Sequence, residues 1–164
     1  MTDPRGESMD WTVGALQAAG FEGFVPLLTL NLPEVPDEPG VYCVVRPDSD
    51  AVQFLEESVA GWWKDRDPSV TAQVLEEAWI EGPAVVYIGK ASASLRQRLR
   101  PYRRIGEGYK AAHWGGRYIW QLADHRSLLV CWRTEADDAA VVESRLIAEF
   151  RTAYGDRPFA NLVK

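Results

Sequence analysis

Hydrophobic and polar positions change rhythm several times along this chain, and each change marks an element. Ala84-Val85-Val86-Tyr87-Ile88-Gly89 is a short, nearly continuous apolar run stopped by a glycine. A run of that length, rich in Val, reads as a buried strand. Gly40 to Arg46 alternates: Val41, Cys43 and Val45 face one way, and Tyr42, Val44 and Arg46 the other. Leu128 to Arg133 is a third strand, bulky enough for burial on both faces. The clearest helix runs from Ala136 to Tyr154, with Ala139, Val142, Leu146, Ile147, Phe150 and Tyr154 on its apolar face. Glu143 lies within that face, whereas Glu149 points away toward solvent.

The remaining segments have shorter periods. Asp10 or Thr12 caps a short helix carrying Trp11, Ala15, Leu16 and Ala19, ended by Gly20. Phe21 to Leu32, with Pro26 inside it, is an edge strand or an ordered arm. The spacing over 51–81 predicts a helical pair inserted between two strands. Val52, Leu55, Val59 and Trp62 mark its first member; Val70, Val74, Leu75, Ala78 and Trp79 mark the second, which Pro68 begins. Trp62 and Trp63 are weighed between base stacking and ordinary core, and helical spacing favours core. Ser92-Ala93-Ser94 starts a helix reaching 99–102, with Leu95, Leu99 and Tyr102 as one stripe and Arg96, Arg100 and Arg103 as another. Arg98 belongs to neither stripe; it either snorkels or points at an anion. Residues 105–116 are glycine-rich, Arg117 to Leu122 is a short helix, and Asp124 to Ser127 is a turn that exposes His125.

Composition adds bounds. With 164 residues, 46% hydrophobic and 26% charged, the chain reads as one ordinary globular unit. The expected arrangement is an N-terminal helix and arm over 1–38, packed on a main body over 39–164. No apolar run approaches the ~20 residues of a membrane span. Met1 to Asp10 lacks the basic start and apolar core of a signal peptide. Cytoplasmic residence without membrane contact is the default expectation. Cys43 and Cys131 fall in predicted strands and read as buried free thiols, without the spacing of a zinc site.

Charge changes the picture more. The net charge is −6, yet Gly82 to Arg133 holds ten bases against two acids, while Glu34 to Glu81 holds three bases against twelve acids. A basic block inside an acidic chain is the footprint of a localised anion site rather than of a broad DNA-coating surface.

Five polar residues stand where the pattern predicts burial: Tyr42, Tyr87, Arg98, Glu143 and Asn161. Taken singly, the tyrosines could be ordinary core residues and Arg98 with Glu143 a buried ion pair. Together they supply a hydroxyl pair, a phosphate clamp, a hard-metal carboxylate and an amide. That set fits metal-assisted hydrolysis of a phosphodiester.

At these residues the sequence resembles the GIY-YIG nuclease superfamily. Gly40-Val41-Tyr42 stands at the first half of the name motif, and Tyr87-Ile88-Gly89, followed by Lys90-Ala91, at the second. Ser94-Leu95-Arg96-Gln97-Arg98-Leu99 with Tyr102 is similar to the arginine helix of the incision nuclease of bacterial excision repair. Glu143 and Asn161 follow in the family's order. The resemblance implies an α+β fold with a small three-stranded antiparallel sheet flanked by helices, and a single Mg²⁺ or Mn²⁺. It implies that Glu143 ligates the metal, Arg98 holds the scissile phosphate, and Tyr42 and Tyr87 bracket the attacking water, one of them as general base. By the same resemblance Lys90 depresses the Tyr87 pKa and Asn161 orients its neighbours. His113 is a candidate proton relay, weighed against a structural or surface histidine. Arg96, Arg100, Tyr102, Arg103, Arg104, Lys110 and Arg117 are the expected nucleic-acid contacts. The expected activity is a metal-dependent DNA endonuclease, with RNA or branched DNA as further substrates and a homodimer or partner protein as an aid to grip. The rival reading is a non-catalytic binding module on the same scaffold. The long acidic insert over 51–81 is read three ways: a lid, a partner surface or plain core.

Overall fold

The computed structural model describes residues 9–105 and 114–162. The fold is mixed α/β. Strands β1 (Glu22–Pro26), β2 (Gly40–Val45), β3 (Val85–Ala91) and β4 (Leu129–Thr134) form one antiparallel sheet in the order β1-β4-β2-β3. Four strands, not the expected three, make the sheet, because part of the Phe21–Leu32 segment pairs with β4. Its ladder shifts register between Gly23 and Val25, and Gly23 has φ +98° with its bare Cα against the Trp132 ring. A bulge and a terminal proline suit an edge strand, where half the backbone groups need no ladder partner.

Strand β2 is buried along its whole length. Val41, Cys43 and Val45 pack with Trp11, Leu16, Phe21 and the apolar face of α5 (Ala139–Tyr154). Tyr42 and Val44 pack on the opposite side with Leu95, Leu99, Tyr102, Ile119, Trp120 and Phe159. One sheet thus separates two cores. The expected alternation of β2 is a division between them, not between core and water. Cys43 faces Cys131 across the β2–β4 ladder, and both are buried free thiols.

Helix α1 (Val13–Ala18) is capped by Thr12, whose hydroxyl accepts from the Ala15 N–H at 3.2 Å. Helix α5 starts at Ala139 rather than Ala136, because Asp138 is the cap and accepts from the Ala140 N–H at 2.9 Å. It ends at Gly155, which takes the left-handed conformation. Glu149, expected in solvent, is half-buried, with one carboxylate oxygen shielded from water. The predicted arginine helix is two short helices, α3 (Leu95–Leu99) and α4 (Tyr102–Ile105). Pro101 stands at the break; it has no N–H to continue the ladder. Among the described residues no helix is long and apolar enough to cross a membrane.

The insert departs most from expectation. Only its second helix forms, as α2 (Ala72–Ala78), and residues 51–71 contain no helix. The segment instead pairs in extended form with a 3₁₀ stretch, Trp114–Gln121, kinked at Gly116. Phe54 bridges Leu122; Leu55 N–H donates to Gln121 O at 2.7 Å and Val59 N–H to Trp120 O at 3.1 Å. The fully buried amide of Gln121 completes the seam. Its Oε1 accepts from Val70 N–H at 2.8 Å, while its Nε2 donates to Leu55 O at 3.1 Å and Val70 O at 2.9 Å. These bonds give the backbone what a helix would have given it, so helical spacing of apolar residues does not decide the structure. Trp62, read as core, is 60% exposed. His125 is buried rather than exposed, its Nδ1 2.9 Å from Leu122 O. Its neighbour Asp124 pairs with buried Arg46 at 2.7 Å.

Replacing Gln121 by Ala orphans the Val70 N–H and two carbonyls at once. At about 1–3 kcal/mol for each buried group left unsatisfied, Gln121→Ala is expected to lower the urea midpoint by the equivalent of several kcal/mol. An unchanged midpoint shows that the amide does not pin the insert.

Candidate active site

The site is built on close approaches that only glycine allows. Gly89 lies opposite Tyr42 in the β2–β3 ladder, and any Cβ at 89 would strike the Tyr42 ring and hydroxyl. Gly40, one turn of the pleat away, packs against the Arg133 backbone and Leu95. Both motif glycines are therefore steric requirements of the ring and of helix α3.

With its ring seated on Gly89, Tyr42 places its Oη 3.1 Å from Oη of Tyr102, and both residues are fully buried. The Tyr42 ring centroid is 6.0 Å from that of Tyr87 and 6.0 Å from that of Tyr102. Arg98 retains solvent access, yet its guanidinium reaches in to hydrogen-bond Tyr42. Sequence spacing left Arg98 between snorkelling and an anion; the structure gives it the Tyr42 hydroxyl as a hydrogen-bond partner. Helix α3 is fixed for this by Ser94, which accepts from Gln97 N–H at 3.2 Å and donates to Asp37. Arg96 Nε donates to Val35 O at 2.9 Å, so part of its guanidinium is spent on packing rather than on a ligand. Tyr102, expected on a nucleic-acid surface, is instead an internal support, because the break at Pro101 turns it into the core.

The other half of the site comes from the opposite face of the sheet. Lys90 pairs with Val41, whose face is covered by α5, and α5 brings Glu143. Glu143 is half-buried. Burial pushes its carboxyl above the usual carboxylate value, while Lys90 and Arg98 oppose that rise. Burial also pushes Tyr42 up, against the pull of Arg98. Tyr87 is raised well above an ordinary tyrosine by burial and then by Tyr42, with Arg98 opposing and Glu143 adding to the rise. Tyr102 is raised for the same reasons, burial first. Tyr87 is raised rather than lowered overall, and the Lys90 charge acts on Glu143. The three hydroxyls are neutral in the free protein.

Lys90, Ser92, Ser94, Gln97 and Arg98 line an open cleft of about 430 Å³. Among the described residues no three metal-ligating side chains gather. Glu143 offers one carboxylate beside two cations. That donor set fits a hard divalent ion that keeps its waters and shares a phosphate, and it does not fit a closed protein cage.

Asn161 is buried on the outer edge of β3, where its Oδ1 accepts from Ile88 N–H at 2.9 Å and its Nδ2 donates to Ile88 O at 2.8 Å. It completes the ladder of the edge strand between Tyr87 and Gly89 rather than touching the cleft. Ala160 N–H adds a bond to Val86 O at 2.8 Å. Gly116 closes over Tyr87, with an added Cβ only 3.2 Å from the ring. Nothing in the sequence pattern singled out Gly116, because its role is set by a contact distant along the chain. Arg100, Arg103 and Arg104 line a separate groove with Leu28. Arg117 sits on the far flank, stacked at 5.5 Å on Tyr118. Lys110 and His113 lie outside the described residues. Comparison with family models, curated proteins and solved structures returns no match for this chain.

Two measurements follow from the tyrosine cluster. Tyr42→Phe and Tyr102→Phe each strand one buried hydroxyl at a cost of about 1–2 kcal/mol, and the double variant is expected to cost less than their sum in a denaturation cycle. Additive losses contradict the hydroxyl pair. The raised tyrosine values favour the neutral form in the fold, so their contribution is complete below the unfolded value of 10.0 and is lost as pH rises above it. Absorbance titration at alkaline pH is expected to show three of the six tyrosines ionising only together with unfolding.

Proposed function

We propose that this chain is a divalent-metal-dependent endonuclease of GIY-YIG type that hydrolyses DNA phosphodiester bonds. The observation that carries the reading is the packing of Tyr42 on Tyr87, ring centroids 6.0 Å apart, with Lys90 and Arg98 lining the cleft and Glu143 of α5 within electrostatic reach of both cations. Arg98 and Lys90 attract the scissile phosphate into the cleft they line. The Arg98 guanidinium, held from behind by Tyr42, offsets charge that develops on the phosphoryl oxygens. Tyr42 and Tyr102 have no exposed surface, whereas Tyr87 is 8% exposed. Tyr87 is therefore the tyrosine of the three with some solvent access, and that access is the structural reason to prefer it over Tyr42 as the candidate base. Glu143 would hold a Mg²⁺ or Mn²⁺, which supplies positive charge and Lewis acidity at the phosphate when bound. Asn161 acts through the backbone, holding Ile88 and so fixing the register of Tyr87 and Gly89. Arg100, Arg103 and Arg104 give a strand entering the cleft a basic surface to follow.

The test is cleavage of labelled single-stranded, duplex, flap and four-way DNA with Mg²⁺, Mn²⁺ or EDTA. Glu143→Ala and Arg98→Ala are each expected to lose at least about 100-fold in rate, the scale of removing one transition-state stabiliser. Undiminished cleavage by both variants removes the reading; metal-insensitive binding without cleavage favours a non-catalytic module. Glu143 carries a second signature. Its raised carboxyl means that the stability it lends is present below the unfolded value of 4.5 and is lost as pH rises through the folded value. At pH 7 without metal, Glu143→Gln is expected to unfold at a higher temperature than the wild type while failing to cut DNA.

A further inference from the structure

Helix α3 turns one face to the cleft. Its cap Ser94 and the residues three and four further on, Gln97 and Arg98, share that face, and all three line the cavity with Lys90 and Ser92. Their polar groups are not equally committed. The Ser94 hydroxyl donates to Asp37 and accepts from Gln97 N–H at 3.2 Å. The Arg98 guanidinium reaches Tyr42. The Gln97 side chain is exposed, and its amide makes no hydrogen bond among the described residues.

The backbone that carries this amide is firmly placed. A helix leaves its first four N–H groups without partners of its own, and here each has one. Leu95 N–H donates to Glu38 O at 2.9 Å and Arg96 N–H to Pro36 O at 3.1 Å. Gln97 N–H goes to the Ser94 hydroxyl, and Arg98 N–H to Ser94 O at 3.0 Å. Arg96 Nε adds a bond to Val35 O at 2.9 Å. Two consequences follow. The helix start has no backbone donor left for a phosphate, so recognition in the cleft falls to side chains. The loop before β2 also clamps α3, so Gln97 is presented from a fixed backbone, as a site that must discriminate requires.

We propose that Gln97 is a specificity residue: its amide reads the base beside the phosphate that Lys90 and Arg98 attract, and it favours adenine. A carboxamide holds an acceptor and a donor side by side, and adenine presents N6–H and N7 in the complementary order. On the same edge guanine shows two acceptors, cytosine a donor alone and thymine an acceptor alone, so none of them meets both ends of the amide. The cleft of about 430 Å³ falls within the roughly 300–1,000 Å³ of small-ligand sites, which suits one nucleotide unit at a time. The proposal rests on the reading of this cleft as a phosphodiester site and adds a base to it, and its binding test does not depend on cleavage.

The test is fluorescence anisotropy in EDTA and in Ca²⁺ with labelled single strands that differ only in a central run of dA, dG, dC, dT or 7-deaza-dA. Wild type is expected to bind the dA strand about tenfold tighter than the dC strand, the scale of one bidentate base contact. Gln97→Met keeps the length of the side chain without its donor and acceptor, and is expected to bind all five strands alike. Replacing N7 in 7-deaza-dA is expected to weaken wild type and to cost Gln97→Met nothing further. A dA preference that survives Gln97→Met overturns the proposal. So does an equal loss on every strand, which reassigns the amide to the sugar-phosphate backbone, and so does wild type that binds none of the strands in either buffer. A Gln97-dependent dA preference with no cleavage in Mg²⁺ or Mn²⁺ leaves the base contact standing and removes the hydrolytic reading. Cleavage indifferent to base and to Gln97→Met does the reverse.

Discussion

The ring of Tyr42 packs directly against Gly89, and the rest of the site depends on that one approach. Without a side chain at 89 the phenol can sink below the level of the ladder and bring its hydroxyl to Tyr102. Tyr102 is available only because Pro101 breaks the arginine helix and turns its second half into the core. Arg98, on the first half, then finds a hydroxyl at the end of its reach. A β-strand, a proline break and a missing methyl group together aim one guanidinium. A hydrogen bond to the neutral Tyr42 hydroxyl holds the cationic end from the inner side.

The same economy appears at the sheet edge. Strand β3 is an outer strand, and its free backbone would invite pairing with another chain. The C-terminal segment covers that edge: Ala160 bonds Val86, and the Asn161 side chain presents a donor and an acceptor to Ile88 as a neighbouring strand would. Covering the edge also fixes the stretch that carries Tyr87, Gly89 and Lys90. Protection against aggregation and alignment of the site are met by one amide.

What was legible in the sequence depended on how local its cause was. Strands β2, β3 and β4 and helix α5 follow from apolar rhythm, and Tyr42, Tyr87, Arg98 and Glu143 stood out as polar groups within it. The first insert helix was misread because Val52, Leu55, Val59 and Trp62 have helical spacing, while the deciding bonds come from Trp120 and Gln121, some sixty residues away. His125 looked like a turn residue for the same reason; the Leu122 carbonyl and the Trp120 ring that bury it are tertiary facts. The fourth strand was ambiguous because a bulged edge with a terminal proline has little period-two signal. Asn161 was visible as an odd residue, but its partner is backbone, which no side-chain pattern reveals.

The electrostatics of the cleft bear on how such a site could work in an acidic protein. Lys90 and Arg98 both act on the half-buried Glu143 carboxylate, so the site gathers charges of both signs in a chain that carries a net −6. A divalent cation placed there alone would meet two like charges and one ligand. A phosphodiester placed there alone would meet the carboxylate. Each relieves the repulsion the other suffers, so metal and phosphate are expected to bind better together than apart, with reciprocal gains in affinity. The raised tyrosine values belong to the same balance. With neither guest present, burial favours the neutral form of all three hydroxyls. Coupled binding would make substrate the condition for the metal and so restrict hydrolytic chemistry to the loaded cleft.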